Sequence, residues 1–471
     1  MSAVRVPSAG LRWAFLAMAG WLWPVGAAPA QRIVAFVGGT LIDGTGRPPL
    51  PDAVLVVQGD RIAAVGRRGE IAPPEAAEVV TVAGKWLVPG LIDAHVHFFQ
   101  SGGLYARPDI IDLRQVRPYP QEIARTKKKL AATLARYLAS GITSVVDVGG
   151  PMWTFEVRDQ ARGARLAPRV AVAGPLLATY APRELAGEDP PVIRIDSPGA
   201  ARRWVRRLAA RAPDLIKIWF VFPGRDIGPE VSWVRAAVAA AHAAGLRVAA
   251  HATQHRVARA VVDAGVDVLA HSVDDRPLGD ALLARMKARG VVYITTLAVG
   301  EGYREVLGRQ VRLTEIERRL GDPEAIASFD DLETLPLGLL SARPARPRPV
   351  DPMQAENLRR VQARGITIAA GSDAGNIGTL HGPALHREME LMAEAGLEPM
   401  DILVAATRGG ARAMGRGDDL GTLEAGKLAD LVVLEADPLA DIRNTRRIHR
   451  VVKGGQVFDP RTIAAGLPDP E

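Results

Sequence analysis

From about residue 86 to residue 370 the chain repeats one texture. A short apolar run, rich in β-branched residues, precedes a longer Ala/Arg/Leu stretch with apolar positions at helical spacing. The apolar runs fall at 86–92, 142–148, 169–173, 215–220, 246–250, 266–270, 291–297 and 366–370, and the clearest amphipathic stretches at 122–140 and 230–244. A strand with one wet face alternates apolar and polar residues. These runs are apolar throughout, as in parallel strands covered on both faces. Eight of them with helices between predict an α/β fold closing as a (β/α)8 TIM-like barrel. Gly141, Gly245, Gly265, Gly290 and Gly365 each stand just before a run, where a helix ending in a left-handed residue wants glycine.

The two ends of the chain differ from this middle. Val/Ile runs at 33–37, 54–57, 61–65 and 79–82 are separated by Gly and Asp turns, and the texture returns at 430–434 and 449–452. This predicts a small β-sandwich domain built from 31–88 and 417–471, with the barrel at 89–416. The one long interruption, 300–350, is expected as a loop over the barrel mouth, irregular through its Pro/Arg-rich stretch at 343–352.

Residues 1–30 follow a third pattern. Arg5 and Arg12 precede a 13-residue apolar run, 13–25, and Ala28-Pro29-Ala30 supplies small residues for cleavage. The run is shorter than the ~20 residues a membrane-spanning helix needs. The expectation is a signal peptide cut after Ala30, a periplasmic or secreted product, and no stable membrane insertion afterwards.

Composition narrows the chemistry. The chain has 471 residues, 48% hydrophobic and 24% charged, which is ordinary for a globular protein. With no cysteine, disulfides, zinc–thiolate sites and cysteine nucleophiles are excluded, so a metal must be held by His, Asp, Glu or a modified Lys. Lys+Arg number 59 against 52 for Asp+Glu, but the arginines are dispersed and the longest basic run is Lys127-Lys128-Lys129, so nucleic acid is not an expected partner.

The strongest local signal is Asp93-Ala94-His95-Val96-His97, directly after the first barrel run. Alternate residues of a strand point the same way, so His95 and His97 project into one space at the end where barrel active sites lie. Four further candidates occupy corresponding strand ends: Lys217, His251, His271 and Asp373. Such a set suits two divalent ions, zinc first by ligand type with Mn, Co, Ni and Fe as alternatives, with His95, His97 and Asp373 on one and His251 and His271 on the other. A bare ammonium at Lys217 would be repelled by two dications, whereas its amine with CO2 forms an anionic carbamate able to bridge them. The alternative for Lys217 is a strand-end lysine paired with an acid. Three residues are candidates for touching substrate: His381, Tyr293 and His255.

Longer motifs carry a family likeness. Val88-Pro-Gly-Leu-Ile-Asp-Ala-His-Val-His97 and Gly371-Ser-Asp-Ala-Gly375 resemble the first- and eighth-strand signatures of the amidohydrolase superfamily, in its imidazolonepropionase/prolidase-like branch. The segment from Leu420 to Leu434 resembles that family's return into its β-domain. Lys217 resembles the carboxylated lysine of binuclear members, including dipeptidases acting on C-terminal Arg, Lys or Pro. The imidazolonepropionases are mononuclear and lack that lysine. Many peptidase relatives continue past the lysine with a Gly-rich segment, where this chain has Trp219-Phe-Val-Phe-Pro-Gly224.

The resemblance implies a hydrolase of a dipeptide, N-acyl amino acid or related small amide, and the signal peptide makes it an exported one. In it, hydroxide held between the ions attacks the carbonyl, and Asp373 carries the proton to the leaving amine. A lactone or organophosphate ester, or a mononuclear cyclic amide chemistry, is the alternative. A homo-oligomer is compatible with the pattern.

Overall fold

A computed structural model of the protein describes residues 32–221, 227–335 and 350–468; the expected signal peptide lies outside them. Among the described residues five strands come first: β1 (Ile33–Leu41), β2 (Leu50–Gln58), β3 (Arg61–Arg67), β4 (Glu78–Thr81) and β5 (Trp86–Pro89). The helix-separated middle holds β6 (Leu91–Val96), β7 (Ile142–Asp147), β8 (Arg169–Val172), β9 (Leu176–Ala178), β10 (Val192–Arg194) and β11 (Leu215–Trp219). It continues with β12 (Arg247–His251), β13 (Val268–Ala270), β14 (Val292–Ile294) and β15 (Ile368–Ala369). The chain ends with β16 (Leu431–Leu434), β17 (Ile448–Lys453) and β18 (Gln456–Phe458).

The two ends of the chain do share one structure, but its connectivity is a single eight-stranded sheet in the order β18-β17-β16-β5-β1-β2-β3, with β4 alongside β1, where two separate sheets were expected. The period of two sorts its apolar residues: Val34 and Phe36 pack with Leu55, Leu87 and Leu431 on one side, Ala35 and Val37 with Val54 and Val56 on the other. β5 is the seam, parallel to β1 and antiparallel to β16, with Val88 opposite Val432. His449 belongs to this sheet and bonds to Glu435 at 2.8 Å.

The middle forms two parallel sheets, β6-β7-β8 and β10-β9-β11-β12-β13-β14-β15. Every residue of β6 and β7 is buried, as the unbroken apolar runs require. Backbone hydrogen bonds also run between the sheets: Asp214 N donates to Val172 O (2.9 Å), Ala94 N to Ala370 O (3.0 Å) and Asp373 N to His95 O (2.8 Å). All five glycines expected at helix ends have positive φ, between 61° and 99°.

Three expectations are corrected. The run 86–92 is two strands in two sheets, β5 and β6, meeting at Gly90; a Cβ there would stand 2.1 Å from Thr143 Oγ1. The stretch 122–140 is two helices, Tyr119–Lys128 and Leu130–Ala139, divided at Lys129. The interruption 300–350 is largely helical as far as residue 335, with helices Leu297–Leu307, Glu315–Leu320 and Pro323–Ala327. A capping box between Thr314 and Glu317 starts the second of these. Residues 343–349 of its Pro/Arg-rich part lie outside the described residues, and Pro352 opens the helix Pro352–Ala363, capped by Asp351. No described helix is long and apolar enough to cross a membrane.

Candidate metal centre and active site

The C-terminal ends of the parallel strands carry the chemistry. His95 lies within β6, Lys217 within β11 and His251 at the end of β12, while His97, His271 and Asp373 follow β6, β13 and β15. His97, Lys217, His251, His271 and Asp373 line one cavity of about 310 Å3; His95 is fully buried beside Asp373. The Nε2 atoms of His95 and His97 stand 3.4 and 3.3 Å from Asp373 Oδ1, and His271 Nδ1 stands 3.8 Å from Oδ2. The rings of His251 and His271 are 4.3 Å apart and those of His271 and His95 4.7 Å. All six strand-end residues singled out from the sequence therefore meet.

Their protonation states suit metal ligands. Burial pushes His271 down to about 3, and burial with the nearby Lys217 and other histidines holds His95 and His251 well below the usual imidazole range. These rings are neutral and keep a lone pair. Burial opposes charge on Asp373 too, but the histidines around it, His95 foremost, keep its carboxyl well below its ordinary value. Burial lowers Lys217 to about 7, so part of the amine is neutral at neutral pH, the form that reacts with CO2.

Both ring nitrogens of His95 and Asp373 Oδ1 are buried without a hydrogen-bond partner. Atoms of this kind are rarely left unsatisfied. One ligand atom each from His95, His271 and Asp373 lies within 4.8 Å of the others, so the donor set fits a divalent cation.

Surrounding groups hold these side chains in place. His97 Nδ1 donates to Gly149 O at 2.6 Å, which turns Nε2 toward Asp373, and His271 Nδ1 hydrogen-bonds with Thr296 Oγ1 at 2.8 Å. His271, Thr296 and Asp373 all take left-handed backbone, φ 75°, 58° and 57°, a conformation non-glycine residues adopt at a cost of ~1–3 kcal/mol each. Asn376 Nδ2 donates to Asp373 O at 3.0 Å and supports that turn. Arg107 and Tyr303 both donate to Asn376 Oδ1. Gly371 is required by proximity, since a Cβ would lie 2.7 Å from His95 Cβ.

Apart from Trp219 and Val221, which stand in the segment 219–224 where the sequence departs from its Gly-rich relatives, the rest of the cavity was not singled out from the sequence. One side carries Arg107, bound through two hydrogen bonds (2.8 and 2.7 Å) to Asp109, together with Tyr303 and Asn376. Another is apolar, with Leu176, Leu185, Val192, Trp219 and Val221. Loop contacts such as Arg107–Asn376 have no periodic signature; the one signal available, the closeness of Asn376 to the Asp373 motif, was not used.

The three residues expected to touch substrate lie elsewhere. His381 is buried between Tyr137 OH (2.8 Å) and Gln100 O (2.7 Å), stacked on Phe98. Tyr293 is buried in β14, where its OH accepts from Val273 N at 3.2 Å. His255 starts the helix His255–Ala264, with its N–H on Asp275 at 2.7 Å. None of them lines the cavity. A larger groove of about 1040 Å3 along the helix Leu130–Ala139 contains none of the candidate ligands.

Neutral imidazoles around an ionised carboxylate at the ends of parallel strands define a candidate metalloenzyme of the α/β class. The chain belongs to the amidohydrolase family, whose model matches residues 86–458, and it is a hydrolase acting on carbon–nitrogen bonds. An imidazolonepropionase of Aromatoleum aromaticum is 28% identical over 455 residues, 88% of this chain and 94% of its own. The crystal structure of a Xaa-Pro dipeptidase with bound methionine in the active site matches 91% of this chain and 100% of that one, at 24% identity and TM-score 0.68. That of a prolidase complexed with N-methylphosphonate-L-proline matches 91% and 99%, at 24% identity and TM-score 0.69.

Proposed function

We propose that the protein is an exported two-metal amidohydrolase that cleaves the amide bond of a dipeptide, an N-acyl amino acid or a related small amide, with its parallel strands closed as a (β/α)8 barrel. The observation that carries this reading is Lys217, buried within β11 on the cavity that also receives His251, His271 and Asp373. A carbamate on that amine would supply the anionic ligand that two ions share, which a single ion does not require.

His95, His97 and Asp373 would hold one ion, His251 and His271 the other, and Lys217, as its carbamate, would join them. Divalent ions, zinc by donor type, would polarise the substrate carbonyl and lower the pKa of water. The protein's own part is to position and to move protons. Asp373 takes a proton from the attacking water and passes it to the amide nitrogen as the C–N bond breaks, and the second proton of the water follows, giving a carboxylate and a protonated amine. Asn376, through its bond to Asp373 O, and Asp93, which accepts from Ser372 N and Oγ, fix the loop that presents Asp373. Residues 1–30 support export.

Zinc-loaded protein beginning at Gln31 should hydrolyse members of a dipeptide and N-acyl amino acid library, lose that activity on chelation, and bind two ions per chain. Ester or lactone turnover without amide turnover would contradict the reading. The similarity to imidazolonepropionase favours a second reading, a mononuclear cyclic amidohydrolase; one ion per chain, unaffected by bicarbonate, would support it.

A further inference from the structure

We propose that the apolar wall formed by Trp219, Leu176, Leu185 and Val192 is a specificity subsite, and that the amide cleaved carries a bulky uncharged aliphatic or aromatic group beside the scissile bond. This rests on the amide reading above.

The wall begins in the segment where the chain departs from its Gly-rich relatives. Lys217 and Trp219 are two apart on β11 and so share a face, which brings the indole to the same cavity, its ring 6.3 Å from that of His251. β9 and β10 extend the sheet beyond β11, with Trp219 opposite Ala178 and Leu176 opposite Val192. Leu176, Leu185 and Val192 form one apolar cluster against which Trp219 packs. Ile110, also lining the cavity, is 39% exposed, unusual for a large aliphatic side chain in this protein. Leu176, Leu185 and Val192 are themselves buried, so the apolar surface left open is chiefly that of Ile110 and the half-buried Trp219, and it gains when an apolar ligand covers it.

Among the described residues, charge on the substrate has no partner at this wall. Both oxygens of Asp109 are taken by Arg107, whose remaining bonds go to Asn376 and Tyr303. Lys217 and Asp373 are committed to the metal centre. A charged substituent would be desolvated without compensation.

The test uses zinc-loaded mature enzyme with matched dipeptides: Ala-Leu, Ala-Ala, Ala-Asp and Ala-Lys, and the reversed set Leu-Ala, Asp-Ala and Lys-Ala. In one of the two positions, leucine should exceed aspartate and lysine by about a hundredfold in kcat/KM and exceed alanine by about tenfold. Trp219→Ala should shrink the leucine-over-alanine ratio by about tenfold, chiefly through KM. Ile110→Lys, at an exposed position that folding tolerates, should shift the ratio the same way. Amide turnover with apolar and charged partners equal in both positions overturns this inference alone, as does a ratio unchanged in both variants. Absence of turnover on any amide overturns it together with the reading beneath it.

Discussion

Ser372 Oγ donates to Asp93 Oδ2 across 2.5 Å, joining the first and last motifs of the parallel strands. Asp93 also accepts from Ser372 N at 2.9 Å and His95 N at 3.3 Å. One buried carboxylate thus positions the residue before Asp373 and the backbone of His95. Asp93→Ala strands these donors in a dry interior, a loss of ~1–3 kcal/mol for each buried group left unsatisfied. Metal affinity should fall by about 10- to 100-fold. Thermal melts and metal analysis after dialysis check both; wild-type metal retention would show that Asp93 does not position the centre.

Asp373→Asn and Lys217→Ala should separate chemistry from metal capture. The first should lower kcat by about 10²- to 10⁴-fold while much of the metal remains. The second should lose activity together with metal, and short carboxylic acids should restore part of it by standing in for the carbamate. Near-normal rates in Lys217→Ala would make that lysine structural.

Asn376→Ala removes the bond to Asp373 O and leaves the left-handed turn at Asp373 without its support. The expected effect is a drop in kcat of about tenfold with KM little changed, because the residue acts through the orientation of Asp373. Loss expressed only in KM would place Asn376 in substrate binding instead.

Glu388 tests the pH dependence of stability. Burial raises its carboxyl from 4.5 to about 7, against hydrogen bonds from Thr295 and from Ala298 N (2.7 Å). A folded-state value above the unfolded one means that protons favour the fold. The contribution is complete below about 4.5 and is lost as pH rises through about 7. Between pH 5 and 8 the parent should lose stability on the order of 2–3 kcal/mol more than Glu388→Gln. Asp93 and Asp147, also raised to about 7 by burial, leave the variant a residual slope. Parallel melting curves for parent and variant across that range would refute the assignment.

What could be read from the sequence was whatever repeats or alternates. Unbroken apolar runs marked buried parallel strands, and the strand-end residues His95, Lys217, His251 and His271 followed from position within those runs. Gly141 and its counterparts were legible because a left-handed helix end admits few other residues. The departure at Trp219 was legible, but β9 and β10, three residues each, are too short for a pattern, so the part of the apolar wall that they supply was invisible. Tyr293 sits in a strand at the right level, but its hydroxyl is consumed by the backbone of Val273. His381 follows Asp373 closely, yet is taken up by Tyr137 and Gln100. Arg107 meets Asn376 across 269 positions of sequence, a distance no local pattern spans.

At Gly90 the sheet that gathers both termini ends, and the strand bearing His95 begins with the next residue. β16 is laid antiparallel against β5. The strands between residues 431 and 458 therefore brace the root of the beam from which two imidazoles project. Truncation at the tail would register as a catalytic lesion long before it exposed the cavity.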